Sequence, residues 1–143
     1  MKVNELMIGD WVTYTHKYMS NALLCEVVAI NNPSGEVILR NLQSDKIDEF
    51  GNKDYKVITT RYEDIYPIPL TPEILEKNRF IWTAYGVIFE GGEDITLKQC
   101  GEYWNIKPNQ LSNDIFCSIW YVHELQHALR LCGLEELANN FQI

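Results

Sequence analysis

Three observations predict an α+β fold, with an N-terminal SH3-like small β-barrel (residues 1–70) followed by a small sheet with C-terminal helices (71–143). Short segments rich in β-branched and aromatic residues, separated by turn formers, fill most of the chain. Apolar residues at helical spacing occur mainly near the C-terminus. A proline-containing segment divides the two halves, although a length of 143 residues also allows both to form one compact domain.

The first half predicts four or five short strands joined by tight turns. Its clearest feature is a hairpin in which the turn-forming residues 31–35 join two apolar runs. The predicted strands cover residues 11–15, 23–30, 36–40 and 55–62, with a polar surface loop over 44–54. Because so few strands can hide their edges only by curling, the pattern favours a small barrel of the SH3-like type.

A connector and a short helix follow. Residues 65–70 contain two prolines and should be extended, since each proline restricts its own φ and disfavours helix in the residue before it. Thr71 is a good N-cap, and Pro72 suits the first position of a helix that runs to about Asn78.

The rest of the second half predicts a sheet and then helices. The predicted strands cover residues 80–84, 86–90, 95–99 and 101–106, with a Gly91-Gly92 turn between the second and the third. Residues 115–120 fit a strand and a helix equally well. From Tyr121 the apolar spacing predicts a helix that stops at Gly133, and a final short helix is expected over 134–139.

The composition argues against several classes of function. The chain has 12 basic and 20 acidic residues, which gives a net charge of −8. The basic residues are scattered along the sequence, so they do not predict a positively charged surface that binds nucleic acid. The apolar runs are far shorter than the ~20 residues of a membrane span, so we expect no membrane partner. Glu5 and Asp10 occupy the region where a signal peptide needs an apolar run, which favours a soluble cytoplasmic protein.

The cysteines lack the spacing of a redox or metal motif. No C-x-x-C pair occurs among them, and in a cytoplasmic protein buried cysteines mostly behave as small apolar residues. We therefore expect reduced thiols without disulfides at Cys25, Cys100, Cys117 and Cys132.

Three ordered segments carry a resemblance to known proteins. They are Asn-Glu-Leu-Met-Ile-Gly-Asp-Trp-Val at 4–12, Pro-Ile-Pro-Leu-Thr-Pro-Glu-Ile-Leu at 67–75 and Tyr-Val-His-Glu-Leu-Gln at 121–126. On these segments the chain resembles a family of small uncharacterised proteins of anaerobic gut bacteria, often carried on prophages or mobile elements. The resemblance implies a cytoplasmic protein and supplies no catalytic residues. It also implies that the position of His127 is often Asn in such proteins.

One motif has the pattern of a metal site. His123-Glu124-Leu125-Gln126-His127 matches H-E-x-x-H, and residues four apart lie on one face of a helix. Two such imidazoles can bind one Zn²⁺ while the glutamate acts as general base toward a zinc-bound water. This alternative predicts a zinc-dependent metallohydrolase with His123 and His127 as metal ligands and Glu124 as the catalytic residue.

A catalytic zinc also needs a third protein ligand, and the candidates are poor. His16, the only other histidine, belongs to the first half. Cys132 lies five residues beyond His127, which rotates it about 140° away around the helix. Glu135 and Glu136 follow the predicted helix stop and remain the best candidates.

A structural interpretation of the motif competes with the zinc site, and we favour it. Val122, Leu125, Leu129 and Cys132 recur at helical spacing and should face the core. The two histidines then lie on the flank, exposed or half-buried, and Glu124 and Gln126 are solvated. The favoured function is therefore a non-enzymatic accessory or interaction protein that binds another protein and needs no cofactor.

Other residue clusters give weaker indications. An aromatic set in the first half could line a groove for proline-rich peptides, although aromatic residues more often fill cores: Trp11, Tyr14, Tyr18, Tyr62 and Tyr66. An acidic set lacks the order of a calcium loop: Asp45, Asp48, Glu49 and Asp54. Gly91-Gly92 precedes two acidic residues, which would repel a phosphate.

Overall fold

The computed structural model describes residues 5–31, 33–43, 56–90, 95–109 and 117–143. The chain forms two compact units, the first ending at Ile68 and the second beginning at Pro69. Each contains an antiparallel five-stranded sheet, and helices are few, which confirms the mixed α+β class. The acidic loop and the Gly91-Gly92 turn expected from the sequence lie outside the described residues.

The first unit is a single antiparallel sheet with the strand order β4-β3-β2-β1-β5. Its strands are β1 (Trp11–Tyr14), β2 (Leu23–Asn31), β3 (Glu36–Asn41), β4 (Val57–Arg61) and β5 (Ile65–Tyr66). The predicted hairpin is confirmed, since Asn31 pairs with Glu36 across the turn. A bulge between Val27 and Ala29 shifts the register of β2, and such bulges bend a strand.

Alternation of side chains builds the core of this unit. Buried and partly exposed residues alternate at the centre of β2 and β3, with Cys25, Val27, Val37 and Leu39 buried, as the two-residue period of a strand predicts. The buried cluster consists of Leu6, Val12, Cys25, Val27, Val37, Leu39 and Ile65. Burial raises the pKa of the Cys25 thiol to about 11, which leaves it in the unreactive thiol form at neutral pH.

Two details of the first unit differ from the sequence-based expectation. Strand β4 ends at Arg61, and a 3-10 turn over Tyr62–Asp64 replaces the expected end of the strand. Ile65 and Tyr66, expected in the connector, form β5 and pair with Tyr14 and Thr13. The extended backbone was predicted correctly, but pairing with β1 is a long-range contact that local sequence does not reveal.

The second unit is an antiparallel meander of five strands, with one helix before the strands and two after them. Its elements are α1 (Pro72–Lys77), β6 (Phe80–Thr83), β7 (Gly86–Phe89), β8 (Ile95–Cys100), β9 (Tyr103–Pro108), β10 (Cys117–Ile119), α2 (Val122–Leu131) and α3 (Glu135–Asn139). The strand order is β10-β9-β8-β7-β6. The ambiguous segment therefore contains a strand, β10, which pairs with β9.

The start of α1 follows the predicted capping. Thr71 Oγ1 accepts a hydrogen bond from the backbone N–H of Ile74 at 3.4 Å, and Pro72 occupies the first helical position. At the other end, the buried Asn78 side chain donates to Ile74 O at 2.7 Å and to Gln142 O at 2.6 Å. Asn78 Oδ1 also accepts the N–H of Gln142 at 2.7 Å, so one amide fastens the C-terminal segment to α1.

The core of the second unit lies on one face of the sheet. Phe80, Val87, Leu97 and Ile106 share that face by strand register and are buried. Trp104, also buried, donates from Nε1 to Leu70 O at 3.1 Å. The predicted apolar stripe of α2 is confirmed at three positions, since Val122, Leu125 and Leu129 have no exposed surface.

Gly133 follows α2 with a φ of +77°, which confirms the predicted stop. None of the helices in the described residues has both the length and the apolar character needed to cross a membrane.

Candidate functional site

The H-E-x-x-H motif lies at the start of α2. Tyr121, the N-cap, has an extended backbone with φ −126° and ψ 156°, and Glu124 is the third residue of the helix. The predicted helix start at Tyr121 is therefore confirmed to within one residue, since the helix itself begins at Val122. This placement decides what the glutamate does, because the first backbone N–H groups of a helix have no partners within it.

Glu124 caps its own helix. Its Oε2 atom accepts the backbone N–H of Trp120 at 2.6 Å and that of Tyr121 at 3.1 Å. The carboxylate also lies in the first turn, where the helix dipole favours negative charge. The sequence-based expectation of a solvated Glu124 is therefore wrong, since the side chain folds back on the backbone. Capping accounts for a glutamate at this position without any catalytic role.

The two histidines of the motif are neighbours, as the helical spacing predicts. Their ring centroids lie 5.7 Å apart and the rings are nearly perpendicular, at 78°. His123 is only 4% exposed and stacks on the ring of Tyr121 at 5.8 Å, whereas His127 is half-buried. The expectation of an exposed or half-buried side chain is therefore wrong for His123, which is buried against the ring of Tyr121, and is confirmed for His127.

The burial of Gln126 is the largest difference between the observed and the expected faces of α2. It was expected in solvent, but it has no exposed surface, and its Nε2 atom donates to Ala138 O of α3 at 2.9 Å. Helix α3 therefore covers the side of α2 that the pattern assigned to solvent. Three residues of the motif, His123, Leu125 and Gln126, are therefore buried, and Gln126 links α2 to α3.

The candidate third ligands do not complete a metal site. Among the residues that the structure describes, no group of three or more His, Cys, Asp or Glu side chains could hold a metal ion. His16 belongs to the first unit, and Glu135 and Glu136 are exposed on α3. Cys132 is half-buried at the end of α2.

A groove of about 390 Å³ runs beside α2. Most of its wall is apolar, with Ile106, Ile119 and Leu131 among the lining residues, and Glu124, His127 and Cys132 also contribute. His127 and Cys132 thus line one groove, although their helical spacing separates them around α2. The sequence offers no signal for this groove, because strands β9 and β10 form part of it.

We expect zinc to leave the stability of this protein unchanged. If His123 and His127 bound zinc with useful affinity, zinc at a hundredfold excess over its dissociation constant would add about 2.7 kcal/mol to the free energy of unfolding. Thermal melts of the unmodified protein and of His127→Asn, each with zinc and with chelator, measure this directly. A zinc-dependent rise of several degrees seen only with His127 present would establish a metal site.

The aromatic residues of the first unit do not form one groove. Tyr14 and Tyr62 pack against the buried cluster. Strand register places Trp11 and Tyr66 on the opposite face of the sheet, alongside Thr13. Tyr18 is 82% exposed in the loop between β1 and β2. These five side chains therefore do not line one groove that could bind a proline-rich peptide.

Three large side chains of the β6–β7 hairpin are exposed, but they do not share one face: Trp82 lies on the core side, with its ring 5.7 Å from that of buried Trp104, and Ile81 lies on the other side. Ile81, Trp82 and Tyr85 are 42%, 49% and 91% exposed. Strand β6 is the last strand of its sheet and, within the described residues, pairs with β7 alone. The residue pattern predicts the two strands of this hairpin but not the exposure of their side chains. One available signal was the absence of any charged residue from 80 to 89.

Comparison of the chain with protein-family models, with curated protein sequences and with solved structures gives no match.

Proposed function

We propose that this chain is a non-enzymatic protein-interaction protein that binds its partner through the β6–β7 hairpin. The observation that carries the proposal is the exposure of Ile81, Trp82 and Tyr85 on a hairpin whose strand β6 is the last of its sheet. Tryptophan and tyrosine are enriched in the energetic centres of protein interfaces. Large apolar side chains left exposed on a protein surface are typical of places where another chain binds.

The capping role of Glu124 supports this proposal over the hydrolase. A general base must face a metal-bound water, whereas Oε2 of Glu124 is hydrogen-bonded to two backbone N–H groups. The resemblance to proteins of prophages and mobile elements adds a context, and we propose an accessory role in such an element.

We also propose that the first unit is an SH3-like barrel. Five short antiparallel strands, a meander from β1 to β4 and the return of β5 to β1 support this architecture. Curling of such a sheet would bring its two end strands, β4 and β5, toward each other. In this proposal the first unit is a scaffold, since its aromatic side chains lie on different faces.

A photo-activated cross-linking residue at position 85 tests the proposed function. We expect irradiation in the native host to produce a protein adduct heavier than the 16.7 kDa chain. The same residue at position 18, which is also highly exposed, is the matched control and should give no comparable adduct.

The adduct should disappear in Ile81→Lys, which places a charge on the apolar edge. Absence of an adduct at position 85, or equal adducts from both positions, would contradict the proposal.

A further inference from the structure

We propose that a pocket at the C-terminal end of α1 binds a small molecule that carries a carboxylate on an apolar body, with Arg79 holding the carboxylate. This pocket is distinct from the proposed binding surface of the hairpin, since Ile81, Trp82 and Tyr85 are not among its lining residues. The observation that points to it is an arginine with a strained backbone in the wall of the pocket.

Arg79 has a left-handed backbone, with a φ of +63°. It directly follows the C-cap Asn78, and its N–H donates to Glu76 O at 3.1 Å, as in the Schellman ending of a helix. The left-handed residue of such an ending is usually glycine, because a Cβ is crowded by the backbone in this conformation. An arginine at this position is therefore strained, and strained residues of this kind cluster at functional sites.

Helix α2 provides an internal comparison, because it ends in the same way. Gly133 follows its C-cap Cys132 with a φ of +77°, and Gly133 N–H donates to Arg130 O at 3.1 Å. The same ending is thus made with glycine after α2 and with arginine after α1, and both residues line the pocket. Since the backbone does not require arginine at position 79, the reason for it lies in the side chain.

The contacts of the Arg79 side chain within the described residues are weak. Its Nε atom donates to Glu90 Oε2 at 3.4 Å, and the two side chains are 67% and 56% exposed. Exposed ion pairs of this kind contribute little to stability. A guanidinium has five N–H donors in a planar fork, so the bond to Glu90 is compatible with a second acceptor that is bound through two hydrogen bonds.

The pocket has the size and the composition of a small-molecule site. Its volume is about 500 Å³, within the roughly 300–1,000 Å³ range of such sites. Lys77 and Arg79 supply positive charge from the end of α1, and the half-buried Phe89, Leu134 and Leu137 supply apolar surface. The Arg79 guanidinium lies 5.9 Å from the centre of the Phe89 ring, so charge and apolar surface adjoin each other.

These features select the chemistry of the ligand. A planar guanidinium binds a carboxylate through two parallel hydrogen bonds, and the apolar walls would cover an aromatic or aliphatic body. Glu136 also lines the pocket, and the whole chain carries a net charge of −8. Multiply charged anions such as phosphates are therefore disfavoured, whereas Arg79 and Lys77 can hold a single carboxylate.

An NMR titration of the purified, isotope-labelled chain with phenylacetate tests the proposal. We expect a dissociation constant of about 1 mM or below, with the largest amide shifts around residues 77–79 and 133–140. Phenylacetamide keeps the apolar body without the charge, and acetate keeps the carboxylate without the apolar body. Each should bind at least ~10-fold more weakly than phenylacetate.

Arg79→Gly separates binding from stability. Glycine relieves the left-handed strain, so we expect the melting temperature to rise by about 2–4 °C. The affinity for phenylacetate should fall at least ~10-fold, because the carboxylate loses its bidentate donor. Lys77→Gln leaves the helix ending intact and should weaken binding about 3-fold through the loss of one charge. Arg61→Gln removes an exposed cation of the first unit and should leave the affinity unchanged.

Absence of phenylacetate binding at about 10 mM, or equal binding of phenylacetate and phenylacetamide, would overturn the proposal. Unchanged affinity in both Arg79→Gly and Lys77→Gln would do the same. A lower melting temperature in Arg79→Gly would show that the arginine is kept for its contacts with Glu90 and Phe89, and it would also overturn the proposal.

Discussion

Gly86→Ala is expected to lower the free energy of unfolding by about 3 kcal/mol or more, the sum of backbone strain and steric overlap. Gly86 has a φ of +139°, a region that is essentially confined to glycine. An added Cβ would lie 2.7 Å from the carbonyl oxygen of Leu97 and 2.9 Å from Cγ2 of Thr96. Relief would require β7 to move away from β8, which would disrupt the proposed binding hairpin.

Gly101→Ala is the matched control for this change. Gly101 also has a positive φ, +71°, but nothing lies within 4 Å of the position that a Cβ would take. Its substitution should cost only about 1 kcal/mol, the usual penalty for a non-glycine residue with left-handed backbone. Urea unfolding of the two variants compares them, and equal losses would show that overlap at Gly86 is relieved cheaply.

Glu124→Ala is expected to cost about 2 kcal/mol of unfolding free energy. The change removes an ionised acceptor from two backbone N–H groups at the start of α2, and hydrogen bonds to charged groups contribute about 1.5–3 kcal/mol. Glu124→Gln retains an acceptor oxygen of the same length and should cost less than half as much. Chemical denaturation of the three proteins gives these values.

The same comparison separates the structural role of Glu124 from a catalytic one. Catalytic residues are selected for activity and not for stability, so their replacement often leaves the free energy of unfolding unchanged or raises it. A Glu124→Ala variant as stable as the unmodified protein would therefore contradict the capping role and favour the hydrolase. The expected loss would instead show that H-E-x-x-H here includes a helix cap.

Local chemistry accounts for most of the secondary structure. The β2–β3 hairpin follows from turn formers between apolar runs, and α1 follows from Thr71 and Pro72. Residue spacing also predicts the helix start at Tyr121, which is the N-cap one residue before α2, and the stop at Gly133. These features depend on interactions between residues a few positions apart, and a single sequence is enough to identify such interactions.

The candidate site was only partly predictable. The spacing of His123 and His127 correctly predicted that the rings are neighbours, because that follows from helix geometry alone. The capping bond of Glu124 was also local, and the third-residue position of a glutamate in a helix was its signal. The H-E-x-x-H pattern and the helical periodicity point instead to a catalytic or a solvated glutamate, and neither indicates the cap.

The sequence by itself determined where strands and helices begin, which face of α2 is apolar and where charge is absent. Only the tertiary structure decided that Gln126 is buried under α3, that Ile65 and Tyr66 complete a sheet, and that β6 is the last strand of its own sheet. The physical reason is that burial and strand pairing depend on segments distant in sequence, whereas capping, turns and periodicity act over one or two turns of chain.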